Sequence, residues 1–384
     1  MKQMKRIAII CVILCTPLLI NAQTQIPTLD DLDHEIAMSS QYDKQYEDVI
    51  RSVKKQLHAA KSMEARYDLS NKLFNLYTSY SVDSAIVYAM EKQKIAKAMG
   101  NQSKVNDAKL NLAYLLIRGG ELKDASDIIN SIPRSGINQD LSFYYFSTRK
   151  TLYRTLADAA LIPSQRKMYK QMEKLCNDSV VDNNQSPDIW SRAEQLVNRQ
   201  QYEQAKKILL DAYHHLKPGD RQTAFVSISL ADIYGREKNV EAQKQYLIAA
   251  AISDIRNSVK EYLALQQLAM ILFEEGDTKR AYAYMDHAMN DAVFCNARQR
   301  TIAMADVWPA IEKSHERETK SRTLKLTAAL VLISLLSVFL LVMIIYTRRR
   351  VVELRAIRAR LSNTNELLKE SNNIKDEYIT RFLS

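Results

Sequence analysis

The chain has 384 residues, 47% of them hydrophobic, with only seven Gly and seven Pro. With no GxGxxG and no GxxxxGK[ST] anywhere, this composition excludes an α/β enzyme built on glycine-rich phosphate loops. The net charge of +10 divides unevenly: Lys2, Lys5 and Arg6 hold +3, residues 348–384 hold nine Lys/Arg against five Asp/Glu, and 42 basic and 39 acidic residues remain between them. The excess therefore flanks apolar stretches near the two ends, and the long middle segment offers no nucleic-acid-binding face.

Residues 1–22 read as a secretory signal peptide. A basic start is followed by an apolar run, Ile7–Ile20, interrupted by Cys11, Cys15, Thr16 and Pro17, and then by polar Asn21-Ala22-Gln23. Cleavage falls after Ala22. Ile20 is a poor third residue before that cut, so an uncleaved anchor is the alternative. Bulky Leu14 argues against lipoprotein processing at Cys15. On this reading residues 23–325 lie outside the cytoplasm, in the periplasm of a Gram-negative cell.

Residues 23–64 form a helical lead-in, loose as far as residue 35 because the start is polar and contains Pro27. From Leu32 onward apolar residues recur every three or four positions, with no strand-like alternation. Punctuation at Gly100, Gly119-Gly120, Pro133, Pro163, Pro187, Pro218-Gly219 and Gly276 cuts the run into helices of roughly 12–20 residues. The fold class is all-α.

The helices repeat over residues 65–310. The clearest unit is Leu268-Ala269…Leu272…Gly276…Ala281…Tyr284…Ala288. Others are Leu112-Ala113…Leu116…Gly120…Ala125…Ile129, Ala193…Leu196…Ala205…Leu209…Ala212, and Leu230-Ala231…Tyr234…Ala242…Tyr246…Ala249, the last one residue short in its turn. A weaker first unit runs Leu73…Tyr77…Ala85…Tyr88, and a degenerate pair occupies Leu141–Cys176. Over Ala65–Ala297 this resembles the tetratricopeptide repeat, in which small residues mark the close crossing of two helices. The usual Trp is missing, and the spacing of the second-helix alanines exceeds the family's. The resemblance implies six stacked helix pairs and a concave wall for a protein or peptide partner.

In this register the wall carries Tyr114 and Arg118, Glu194 and Asn198, Asp232 and Arg236, Met270 and Glu274, each pair one helical turn apart. Asp232–Arg236 equally fits a surface ion pair. Tyr77, Tyr88, Tyr234, Tyr246 and Tyr284 fall at packing positions. Cys176 and Cys295, about three repeats apart, read as buried free thiols. His214-His215 point about 100° apart on a helix and lack further ligands, so no metal site is expected. No nucleophile–base constellation and no cofactor motif occurs, so no enzyme is expected.

Glu312–Lys325 is charged and unbroken, a juxtamembrane helix over 311–325. Leu326–Tyr346 is twenty-one residues without a charge, long enough to span roughly 30 Å of bilayer core. A buried core helix of that length and apolarity, without a break, is the weaker alternative. Arg348, Arg349 and Arg350 mark the cytoplasmic side, making an inner-membrane protein of one span. In the cytoplasmic helix over 347–384, Leu354, Ile357 and Leu361 sit at heptad spacing and predict a dimer seam, with a lone amphipathic helix as the alternative.

The order of signal peptide, repeats with Asp83–Ala89 (DSAIVYA), one span, coiled helix and KDEYITRFL (375–383) resembles a family of single-span membrane regulators of Bacteroidetes-type bacteria that carries a domain of unknown function. That resemblance implies a non-catalytic sensor relaying a partner's binding toward transcription. It also implies a member cut short of its helix-turn-helix-like output region, with no nucleic acid contacted by the residues present. The rival is the sensory half of a histidine kinase, since Lys375–Tyr378 fits the start of the phosphoacceptor segment. Leu383 and Ser384 then stand where its Ser and His belong. A structural scaffold of the envelope is the third reading.

Overall fold

The computed structural model describes residues 27–134, 137–182, 189–216 and 219–382. The leader, Pro187, Pro218 and the last two residues lie outside the described residues. The chain divides into two compact units, residues 1–312 and 313–384.

The first unit opens with α1, Leu29–Ala59. The expected loose start is replaced by helix from Leu29. A capping box, in which Thr28 and Asp31 satisfy each other's backbone amides, starts the helix sharply. Leu32 is then fully buried and Glu35 nearly so, so the segment is anchored by packing that lies far away in sequence.

Six helix pairs follow: α2 (Met63–Tyr77) with α3 (Val82–Ala98), α4 (Gln102–Gly119) with α5 (Leu122–Asn130), α6 (Gln139–Ala159) with α7 (Pro163–Asp182), α8 (Ile189–Asn198) with α9 (Tyr202–His215), α10 (Arg221–Arg236) with α11 (Val240–Arg256), and α12 (Ala264–Glu275) with α13 (Thr278–Cys295). A short α14, Arg298–Ala305, ends the series. Among the described residues every regular element is helical.

Four of the pairs share one turn. Gly120, Gln200, Lys238 and Gly276 each take a left-handed backbone, with φ between 60° and 88°, one residue before the second helix is capped. Glycine adopts that conformation freely, whereas Gln200 and Lys238 do so at a steric cost of about 1–2 kcal/mol. The fourth residue after the cap is the crossing position. It is Ala85, Ala125, Ala205 and Ala281 in four pairs, each fully buried. In α11 it is Gln243 rather than Ala242, because the left-handed turn at Lys238 sets the cap at Asn239. The bulk is accommodated across the crossing: a Cβ on Gly235 would stand 2.7 Å from the Gln243 amide nitrogen.

The tyrosines at packing positions stack between paired helices. Tyr77 lies on Tyr88 at 5.6 Å and Tyr234 on Tyr246 at 5.5 Å. Cys176 and Cys295 are buried free thiols.

The two ends of the array are tied together. The second half of α1 packs Ile50 and Val53 onto Leu73 and Phe74 of α2, while Leu32 joins the core made by α11–α13. Charges reinforce this closure. Glu35 pairs with Arg256, Asp30 and Asp33 with Arg280, and the buried Lys260 ammonium lies 2.6 Å from Asp43 and 3.0 Å from Asp291. Asn296 donates to Asp83, and Arg298 reaches Glu121. The expected wall running open through all the first helices is therefore closed off by the last repeats meeting the first two.

The second unit lies within α15, Trp308–Phe382. It contains a stretch long and apolar enough to cross a membrane. Every side chain from Leu326 to Tyr346 is exposed, as are Leu354, Ile357 and Leu361.

Candidate functional site

Two adjoining cavities among the described residues of the first unit hold most of the predicted wall. The larger, about 520 Å³, is lined by α4, α6, the start of α10, the end of α11 and the connections on either side of α12 and α13. The smaller, about 450 Å³, lies among α8, α9, α10 and α12, with Arg154 of α6 and Glu173 of α7 at its wall. Arg154, Ile228 and Leu263 line both.

Arg118 of α4 stands in the wall of the larger cavity, its side chain only 11% exposed. It donates to the Thr78 carbonyl at 2.6 Å, pairs with Glu261 and lies 5.4 Å from the Tyr114 ring. Burial opposes its charge, but Glu261 and Tyr114 outweigh burial and hold the guanidinium above its usual range. Its Nε is buried with no hydrogen-bond partner among the described residues.

Asp254 lines the same cavity from the C-terminal end of α11. Burial, with the Glu261 carboxylate beside it, pushes its carboxyl up to about 7 against the opposing pull of Arg221 and Arg300. Arg221 reaches the Ser79 hydroxyl at 3.1 Å. The threonines of the wall are turned inward: Thr151 and Thr155 donate to carbonyls of their own helix.

In the smaller cavity Glu194 binds the Lys150 ammonium at 2.6 Å and also pairs with Arg154. Burial works against the ionised carboxyl, but the two cations outweigh it and hold Glu194 below its ordinary range. Asn198, Asp232 and Arg236 share this cavity. Asp232 and Arg236 form an exposed ion pair at 2.9 Å along one helix face.

The predicted wall is thus split. Tyr114 and Arg118 line one cavity, and Glu194, Asn198, Asp232 and Arg236 the other. Glu274 is exposed and lines neither, and Met270 packs against the core. Of this face of α12 only Gln267, one turn earlier, reaches the smaller cavity. Sequence reasoning missed Arg221, Asp254 and Arg300, which come from helix ends and connections rather than repeat faces. One signal was present: Asp254 is the lone charge in the run Leu247–Ile255.

Helix pairs that cross at buried alanines, joined by a recurrent left-handed turn and stacked over a succession of buried clusters, define a helical-repeat domain of the tetratricopeptide class. Such domains typically bind proteins and are generally non-catalytic. Residues 36–306 match the family described as the SusR N-terminal TPR domain, and the chain belongs to that family. The match runs from within α1 to the end of α14, so it includes most of the closing helix. No curated protein matches the chain.

Proposed function

We propose that the protein is a non-catalytic sensor and regulator anchored in the bacterial inner membrane by one span. The repeat domain lies in the periplasm and engages a protein or peptide partner. The segment beyond Tyr346 lies in the cytoplasm, where Leu354, Ile357 and Leu361 form a parallel dimer seam that carries the partner's state toward transcription. One observation supports this reading above all. The chain that builds a partner-binding repeat domain continues into a helix apolar enough to cross a membrane, with the Arg348–Arg350 cluster directly beyond the apolar stretch.

Reporter fusions test it. A phosphatase active only outside the cytoplasm should work when fused after Lys320 and be silent after Arg360. The opposite pattern removes the periplasmic assignment. In membranes, cysteine at Ile357 should crosslink between copies, and cysteine at Arg355, off the seam, much less. Equal crosslinking at both positions, or none, leaves a monomeric anchor and ends the relay.

A further inference from the structure

The larger cavity is rich in donors that nothing in the protein uses. Arginine donates five hydrogen bonds and accepts none. The Arg300 side chain has no hydrogen bond or ion pair among the described residues, although it stands in the wall and its charge is felt by Asp254. Arg221 spends one bond on Ser79, and the buried Nε of Arg118 is unused. On the acceptor side, Glu261 is taken by Arg118, and Asp158, the third carboxylate of the wall, is exposed to water. Asp254 makes no side-chain hydrogen bond among the described residues, and its protonated form would add yet another donor. A cavity with surplus donors is complemented by a group that only accepts. A volume of about 520 Å³ falls within the ordinary range for small-molecule sites and is too small for a folded partner.

We propose that this cavity binds a small organic or inorganic anion, its carboxylate or phosphate group held by Arg221 and Arg300 beside Asp254. Arginine's planar fork suits both groups. This deepens the sensor reading by giving the repeat domain a small ligand in addition to its macromolecular partner, and it rests on that reading. Binding takes up a proton. The groups facing Asp254 are Glu261, Arg221, Arg300 and Tyr262. An incoming anion adds negative charge beside a carboxyl that is half ionised near pH 7, so the bound state favours the protonated form. Affinity must therefore fall as pH rises through 7 and be greatest below it. An anion held by Arg221, Asp254 and Arg300 joins α10, the end of α11 and α14, so it would bind the closed array in preference to an opened one.

The test is calorimetric titration of the full-length protein in nanodiscs with succinate, with inorganic phosphate and with neutral sorbitol, at pH 6 and pH 8. Saturable binding of succinate or phosphate is expected, weakening about tenfold between the two pH values as one proton linkage requires. Succinate alone or phosphate alone identifies the anionic group. Arg300→Ala should weaken binding at least about tenfold, the scale of a lost charge-assisted bond, with a melting curve nearly unchanged because its side chain makes no hydrogen bond or ion pair among the described residues. Asp254→Asn should bind succinate with little pH dependence over this range, whereas phosphate, which titrates there itself, is compared between variants at each pH. Binding of sorbitol in place of the anions, no binding at all, or full affinity in Arg300→Ala overturns the proposal. None of these results alters the reporter-fusion outcome, so the sensor reading stands or falls separately.

Discussion

The pairs α12/α13 and α6/α7 are built from helices of similar kind and solve the crossing differently. In the former, Ala269 and Ala281 are both fully buried in one core with Leu265, Leu268 and Tyr284. In the latter, the crossing position falls on Arg166, which is exposed and donates to the Ala160 carbonyl. Its helices run to 21 and 20 residues, and buried packing moves away from the turn to Cys176, Asn177 and Val180. Leu161, Ile162 and Met168 are left exposed near the turn. Small residues at the crossing bring two helices together at the turn. Without them a pair still forms, but it is longer and held from its far end.

The comparison can be broken most severely through α1, whose burial in the α11–α13 core gives the last repeats their density. Leu32→Ala should cost about 2–5 kcal/mol, read as a lower urea midpoint, and should loosen the last repeats before the middle ones in hydrogen exchange. A loss under 1 kcal/mol would mean that α1 merely lies on the surface. Next in size, Ala281→Leu should overpack the α12/α13 crossing and cost about 1–3 kcal/mol. An unchanged melt would show that the crossing lies elsewhere. The smallest effect sharpens the contrast: Arg166→Ala, at the equivalent place in α7, should change stability by no more than about 0.5 kcal/mol. A large loss there would show that the two pairs cross alike after all.

Much of the fold could be read locally. Periodicity located the helices, and buried alanines at 85, 125, 205 and 281 located four crossings, because both signals lie within a few residues of the contact they report. Gln243 escaped because an alanine was the signal followed, and Ala242, one position earlier, supplied one although the cap at Asn239 puts the crossing at 243. The closure by α1 escaped for a different reason. Its contacts join Glu35, Asp43 and Asp33 to Arg256, Lys260 and Arg280, residues that look like ordinary solvated charge until the array turns far enough to bring them together. The candidate cavity inherits this: Arg118 was singled out from its helix face, whereas Asp254 and Arg300 acquire meaning only once distant ends meet.

The closing helix also sets an order of events during synthesis. Its second half can dock on α2 as soon as Leu73 and Phe74 have been made. Its first half cannot finish folding then, because its ion-pair partners lie 217 to 250 residues further along the chain. Until α13 exists, Leu32 and a row of carboxylates wait in water on a half-docked helix. Contacts of such long range form late, and a segment held mainly by them is a natural first site of partial opening. The newborn protein therefore carries its oldest residues as its last to settle, and an early protease cut should fall within the first turns of α1 rather than at the turns between repeats.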